Sequence, residues 1–121
     1  MVNDMAQRRM FAKTIVESDA FTSMSLQAQL LYFHLAMSAD DDGLLNNAAG
    51  LARNYGIRKA ALKELFDNRF LLDLGNSVTC IKHWKICNEI KKDRYKPTIY
   101  QKQLESVIVR KDGAYTEACK A

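Results

Sequence analysis

The chain has 121 residues, of which 48% are hydrophobic and 26% charged, with one Pro, five Gly, three Cys and a formal net charge of +4. That length holds one core and little else, and the scarcity of Pro and Gly excludes long disordered linkers. Three irregularly spaced Cys exclude a disulfide scaffold and fit a reduced, cytoplasmic chain. The apolar run LLYFHLAM is too short to cross a bilayer, and MVNDMAQRRM lacks the apolar stretch of a secretory signal.

In chain order, FAKTIV (11–16) reads as a strand or a docking arm, and Ser18 or Asp19 caps a one-turn helix through Ala20, Phe21 and Met24. Ser25 offers a hydroxyl to the orphan amides of the next helix. Leu26, Leu30, Phe33 and Met37 form one apolar stripe with Leu31 and Leu35 beside it, which predicts a central helix buried over most of its circumference. It stops near Ala39, at Asp40-Asp41-Asp42-Gly43, which reads as a solvated turn. Leu44 and Leu45 make a very short strand, and Asn46 or Asn47 caps a helix running to about Tyr55. Gly56 lets the chain reverse. Ile57, Ala61, Leu62, Leu65 and Phe66 then recur at helical spacing, with Lys59, Ala60, Lys63, Glu64 and Asp67 facing outward. Residues 70–74 and 77–82 flank Gly75-Asn76, a two-residue hairpin turn. Trp84, Ile86 and Ile90 pack a short helix back onto the body. Further on, QLESVIV is compatible with helix or strand, and residues 111–113 read as a turn.

The pattern predicts an α+β, mainly α fold: a winged helix-turn-helix with a small antiparallel β-hairpin wing and Leu44-Leu45 as third strand. Residues 1–24 form an N-terminal arm, 25–90 the winged-helix domain, and 91–121 a basic extension expected to lead into a second region. Charge is unevenly spread. Residues 14–52 contain no Lys or Arg and carry five acids, whereas 53–69 carry a net +3 and 82–102 a net +5. Clustering of this kind is the footprint of a polyanion partner.

Other groups point to chemistry only weakly. The Asp-rich turn lacks the alternating spacing and late Glu of a calcium loop. Cys80, His83 and Cys87 offer three zinc ligands without a fourth at a supporting distance, and Cys80 belongs inside a strand. His34 reads as a hydrogen-bonded core histidine. No nucleophile–base pair, phosphate-cradling Gly loop or carboxylate pair is present, so the expectation is no enzyme, no cofactor and no metal.

Three segments carry a family resemblance: RRMFAKTIVESDAF, LLYFHLAMSADDDGLLNN and IKHWKICNEIKKDRYKPTIY. Over roughly residues 8–101 the chain resembles the N-terminal domain of phage replisome organizers, DnaD-like replication initiation proteins of phages and prophages of Gram-positive bacteria. Its most specific pieces are Glu17 to Phe21, Ala39 to Gly43 and Lys92 to Thr98. The resemblance implies a winged-helix domain that binds origin DNA in the host cytoplasm, self-associates, and helps recruit replisome or helicase-loading proteins. In such proteins a C-terminal region usually engages single-stranded DNA or the loading machinery.

On that reading Lys59, Ala60 and Lys63 face the major groove, with Arg58 near a phosphate at the helix start and Ala60 permitting close approach to a thymine methyl. Arg53 and Arg69 flank the groove. The hairpin tip offers Asn76 but no base, and Lys82 and Lys85 extend the basic surface beyond it. Lys91, Lys92, Arg94 and Lys96 supply much of the electrostatic affinity for duplex or single-stranded DNA, with Tyr95 available for stacking or for packing against Trp84. Glu64 and Asp67, on the outward side, oppose phosphate. An oligomer interface is expected at Phe11, Ile15, Val16 and Phe21, with Tyr100, Leu104, Val107, Ile108 and Val109 as a further apolar set. The alternatives are a winged-helix transcription regulator, or an oligomerisation or helicase-loader module that does not touch DNA.

Overall fold

The computed structural model describes residues 10–88, 95, 97–111 and 114–117. Within them lie seven helices and two small antiparallel sheets, an α+β arrangement dominated by helix. Segment 11–16 is neither strand nor extended arm: its second part is the single turn α1 (Lys13–Val16). Ser18 caps α2 (Asp19–Thr22), its hydroxyl accepting from the Phe21 amide.

Helix α3 (Leu26–Ser38) begins at Ser25, whose hydroxyl accepts from the Ala28 amide. Its buried side is Ala28, Leu31, Tyr32, Leu35 and Ala36, so of the expected set Leu31 and Leu35 are enclosed and the main row is not. Leu26, Leu30 and Met37 are 82%, 49% and 55% exposed, and only Phe33 of that row is half-buried. Both long sides of α3 are apolar, so periodicity alone does not say which faces inward. Neighbouring helices choose the side that carries the small Ala28 and Ala36 and the Tyr32 ring.

After α3, β1 (Leu44–Leu45), α4 (Ala48–Asn54), α5 (Lys59–Asp67), β2 (Leu71–Asp73) and β3 (Thr79–Ile81) follow in order. The sheet order is β1-β3-β2, with Leu44 opposite Cys80, Leu45 opposite Thr79 and Leu72 opposite Cys80. The hairpin between β2 and β3 is wider than a two-residue turn. Gly75, Asn76 and Ser77 all have positive φ (86°, 52°, 64°), and the Leu74 amide donates to the Val78 carbonyl at 2.9 Å. Asp73 supports the loop by accepting from the Gly75 amide at 3.0 Å.

Helix α6 (Trp84–Cys87) follows β3, then come α7 (Gln101–Leu104), β4 (Val107–Val109) and β5 (Tyr115–Glu117). QLESVIV is therefore both elements in succession. The β4–β5 hairpin folds back so that the Tyr115 amide donates to the Lys82 carbonyl at 2.7 Å. The core gathers Phe21 and Met24 from before α3, Trp84 from α6, and Val107 and Tyr115 from the last third. Phe21 sits edge-on to Tyr32, Phe33 and Phe70, with ring centroids 5.2, 5.7 and 5.5 Å away. No described helix is long and apolar enough to cross a membrane.

The Asp-rich turn is not solvated. Asp41 and Asp42 are 4% and 3% exposed, and Asp40 is half-buried. One oxygen of Asp40 accepts from the Asp42 and Leu44 amides, which closes the turn, and the other accepts from the Thr98 hydroxyl. Asp42 accepts from the Thr98 amide at 2.8 Å and from the Tyr95 hydroxyl at 2.7 Å. Its backbone carbonyl takes the Tyr115 hydroxyl, and that of Asp41 takes the Trp84 indole N–H. Gly43 turns with φ 82° against the Trp84 ring, where an added Cβ would overlap the indole.

Candidate nucleic-acid interface

Helix α4 ends at Tyr55, and Gly56 takes φ 70° while the Ile57 amide donates back to the Ala52 carbonyl at 2.8 Å. This closing loop reverses the chain into α5. Helix α5 ends in the same way, with Phe70 donating to the Leu65 carbonyl, but the left-handed position is held by Arg69 at φ 64°. An L-residue there costs about 1 kcal/mol relative to Gly.

Arg58 stands at the N-cap of α5 without a capping hydroxyl. The missing partner comes from α3, where the Gln27 side-chain carbonyl accepts from the Arg58 amide at 3.1 Å. The support is mutual: Glu64 of α5 accepts from the Ser25 amide at 2.9 Å and the Ser25 hydroxyl at 2.7 Å, at the start of α3. Each helix thus satisfies orphan donors of the other, a capping box built across space.

That arrangement changes the charge balance of α5. Glu64 is half-buried against Ser25 and does not face outward, contrary to the sequence expectation. Asp67 is exposed and pairs with Lys63 at 2.7 Å. Arg58, Lys59, Ala60 and Lys63 are all exposed, and Lys59, Ala60 and Lys63 fall on one side of α5, at successive and i+4 positions. Buried Ala61 and Leu65 hold the opposite side in the core.

The remaining expected DNA contacts are more dispersed. Arg53 is exposed on the last turn of α4 and Arg69 is exposed past the end of α5. Asn76 is exposed at the hairpin tip, Lys82 is half-buried after β3, and Lys85 is exposed on α6. Lys91, Lys92, Arg94 and Lys96 lie outside the described residues, as does Ile90. The hydroxyl of Tyr95, between two of these bases in the sequence, donates to Asp42, and the residue is 38% exposed. Burial first, and then that carboxylate, hold the Tyr95 phenol far above its usual range, so it remains a donor.

In the expected oligomer set, Phe21 is 1% exposed and used up inside the core. Phe11, Ile15 and Val16 are half-buried, with the Phe11 ring edge-on to Phe33 at 4.9 Å. Tyr100 and Leu104 pack partly on the core, Val107 is buried, and Ile108 and Val109 are exposed. His34 is not in the core either; its ring stacks on Tyr55 at 3.9 Å, tying α3 to the end of α4.

Among the described residues no group of three or more His, Cys, Asp or Glu is placed to hold a metal ion. Cys80 is buried in β3, and desolvation drives its thiol pKa well up, so it stays protonated. A cleft of about 310 Å³ opens beside β1, walled by Leu44, Leu45, Leu51, Pro97, Ile99 and Tyr100. Among the described residues, none of the expected DNA-contacting side chains lines it. Sequence reasoning missed Gln27, because its partner lies 31 positions away and no local pattern links them. It also missed the junction of Asp40 and Asp42 with Tyr95 and Thr98. A signal was available there, since the Asp-rich turn and the KDRYKPT segment both lack any role in a helix-turn-helix. Comparison of the chain with protein-family models, curated proteins and solved structures gives no match.

Proposed function

We propose that this chain is a winged-helix DNA-binding domain of the phage replisome-organizer type, acting on origin duplex in the cytoplasm of a bacterial host. The observation that carries the reading is the outward side of α5. Arg58, Lys59, Ala60 and Lys63 are open to solvent, and the acid that would oppose phosphate most, Glu64, is withdrawn to Ser25. The α4–Gly56–α5 turn, the following β2–β3 hairpin and the β1 edge strand supply the order of elements that the motif needs.

In this reading α5 enters the major groove, Lys59 and Lys63 reach base edges or phosphates, and small Ala60 lets the helix come close. Arg53 and Arg69 hold phosphates on either side. The wing adds the Asn76 amide, and Lys82, Lys85 and the basic stretch from Lys91 to Lys96 add affinity that is independent of sequence. Replisome or helicase-loading proteins are the further partners.

The test is a salt titration of binding to random duplex, origin-derived duplex and single-stranded DNA. Duplex affinity is expected to fall steeply with salt. Neutralising Lys91, Lys92, Arg94 and Lys96 together should flatten the log–log slope by roughly 3 to 4, at ~0.9 per lost phosphate contact. An unchanged slope would move the phosphate contacts elsewhere. A second reading, an interaction module without DNA binding, draws support from the exposed apolar row on α3. A chain that self-associates yet ignores duplex at low salt would favour it.

A further inference from the structure

The cleft beside β1 runs between two apolar walls. One is Leu44 and Leu45 of β1 with Leu51 of α4, and the other is Pro97, Ile99 and Tyr100. Its volume of about 310 Å³ lies at the low end of small-molecule sites, roughly 300–1,000 Å³. That is room for a ring and a short chain, not for a helix. The walls are fastened to each other, since the Thr98 hydroxyl donates to Asp40 and the Thr98 amide to Asp42 at 2.8 Å. The cleft is therefore preformed.

One acceptor position in this lining is open. Asp40 Oδ1 already accepts from the Asp42 amide at 2.9 Å and the Leu44 amide at 3.1 Å. Thr98 Oγ1 is occupied too, donating to Asp40 Oδ2 and accepting from the Tyr100 amide at 3.1 Å. Asp40 Oδ2 has only that one donor and keeps a lone pair. The charge that acts on Asp40 is that of Asp42, another acid, and no Lys, Arg or His lines the cleft among the described residues. We infer that the cleft is a binding site for a compact organic cation, a protonated amine carried on a single apolar ring, with its ammonium group on Asp40 Oδ2.

The lining selects the sign of the ligand. An anion would meet the Asp40 carboxylate with no lining base to offset the repulsion. A neutral ring would strip water from that carboxylate and give it nothing in return. A cation supplies both the missing donor and the missing charge, in a charge-assisted hydrogen bond. Desolvation already raises the pKa of Asp40, and an ammonium group beside it opposes that shift. A single open lone pair suits one N–H of an ammonium better than the paired donors of a guanidinium. Ser38, Asn46 and Asn47, exposed at the rim, offer oxygens to the remaining N–H groups. The site is separate from the outward side of α5 and does not depend on the DNA reading.

The experiment titrates the whole chain at neutral pH with phenethylamine, phenethyl alcohol and hydrocinnamate, followed by amide NMR. The three probes share a ring and a short chain and differ in charge. Phenethylamine is expected to bind with a Kd on the order of 1 mM and to shift the amides of Leu45, Leu51, Thr98 and Ile99. The alcohol should bind roughly tenfold more weakly, and hydrocinnamate should not bind. Asp40→Asn should bring the amine down to the level of the alcohol. Ile99→Lys sets a cation on a wall residue that is 79% exposed, so the fold is kept. It should weaken the amine at least about fivefold and admit hydrocinnamate. Should Asp40→Asn fail to fold, the Ile99→Lys arm decides. An amine that binds no better than the alcohol overturns the inference. So do shifts confined to residues away from the two walls, an affinity indifferent to Ile99→Lys, or no binding by roughly 20 mM.

Discussion

Asp42 shows how much one side chain can hold in place. It is 3% exposed and joins the start of the sheet to a segment more than fifty residues away through Tyr95 and Thr98. Asp42→Ala removes the oxygens that accept from the Thr98 amide and the Tyr95 hydroxyl. The expected loss is about 1 to 3 kcal/mol of stability, read from the urea midpoint at neutral pH. Asp40 behaves differently. Burial raises its pKa above the ordinary 3.8, while the hydrogen bonds from Thr98, Leu44 and Asp42 pull it the other way. A raised folded-state pKa contributes stability that is complete below 3.8 and disappears as pH climbs through the folded value. The stability of the native chain relative to Asp40→Asn should therefore rise as pH falls from 7 toward 4, in a series of urea unfolding curves. These roles were hidden in the sequence for a physical reason. Three adjacent Asp before a Gly are chemically the same whether water or a distant Thr and Tyr hydrate them.

At the scale of elements, local order was readable and orientation was not. The helix over 26–38, a cap at Ser18 or Asp19, the Ser25 cap, the Leu44-Leu45 strand, the Gly56 reversal and a hairpin after α5 all follow from short-range chemistry, and the structure has them, with Ser18 as the cap and a wider hairpin turn. Which side of α3 faces the core depends on neighbours that only the folded chain supplies. The same holds for the direction of Glu64. On a helical wheel it falls among outward residues, but the orphan amide of Ser25 draws it sideways. This yields a paired prediction for DNA binding at low salt. Asp67→Asn frees Lys63 from its exposed ion pair and should tighten duplex binding, by about threefold given the modest worth of such pairs. Glu64→Gln should leave affinity nearly unchanged and instead cost about 1 kcal/mol of stability through the α3 cap. Equal gains in affinity from both, in a mobility-shift titration, would mean that Glu64 faces the ligand after all.

Across the whole molecule, the core is not confined to the central stretch. Phe21 and Met24 enter it from one end, and Thr98, Val107 and Tyr115 are buried from the other. A fragment limited to residues 25–90 would expose the Tyr32 and Phe70 rings and leave the Asp42 carboxylate without Tyr95 and Thr98. It is expected to lose the cooperative unfolding of the whole chain, or to melt more than about 10 °C lower, in a calorimetric comparison. The basic surface is likewise only partly a property of the helix pair. Arg53, Arg58, Lys59, Lys63 and Arg69 come with α4 and α5, whereas Tyr95, which sits between Arg94 and Lys96 in the sequence, is fastened to the acidic turn.

That fastening also dictates a timetable for the newly made chain. As it leaves the ribosome, Asp40 and Asp42 emerge roughly fifty residues ahead of the Tyr95 and Thr98 groups that replace their water, and Tyr115 comes later still. Translation must pass Thr98 before either carboxylate can be enclosed. The helices that precede the Asp-rich turn are therefore made early and completed late, and a polypeptide stalled before residue 95 keeps that turn hydrated.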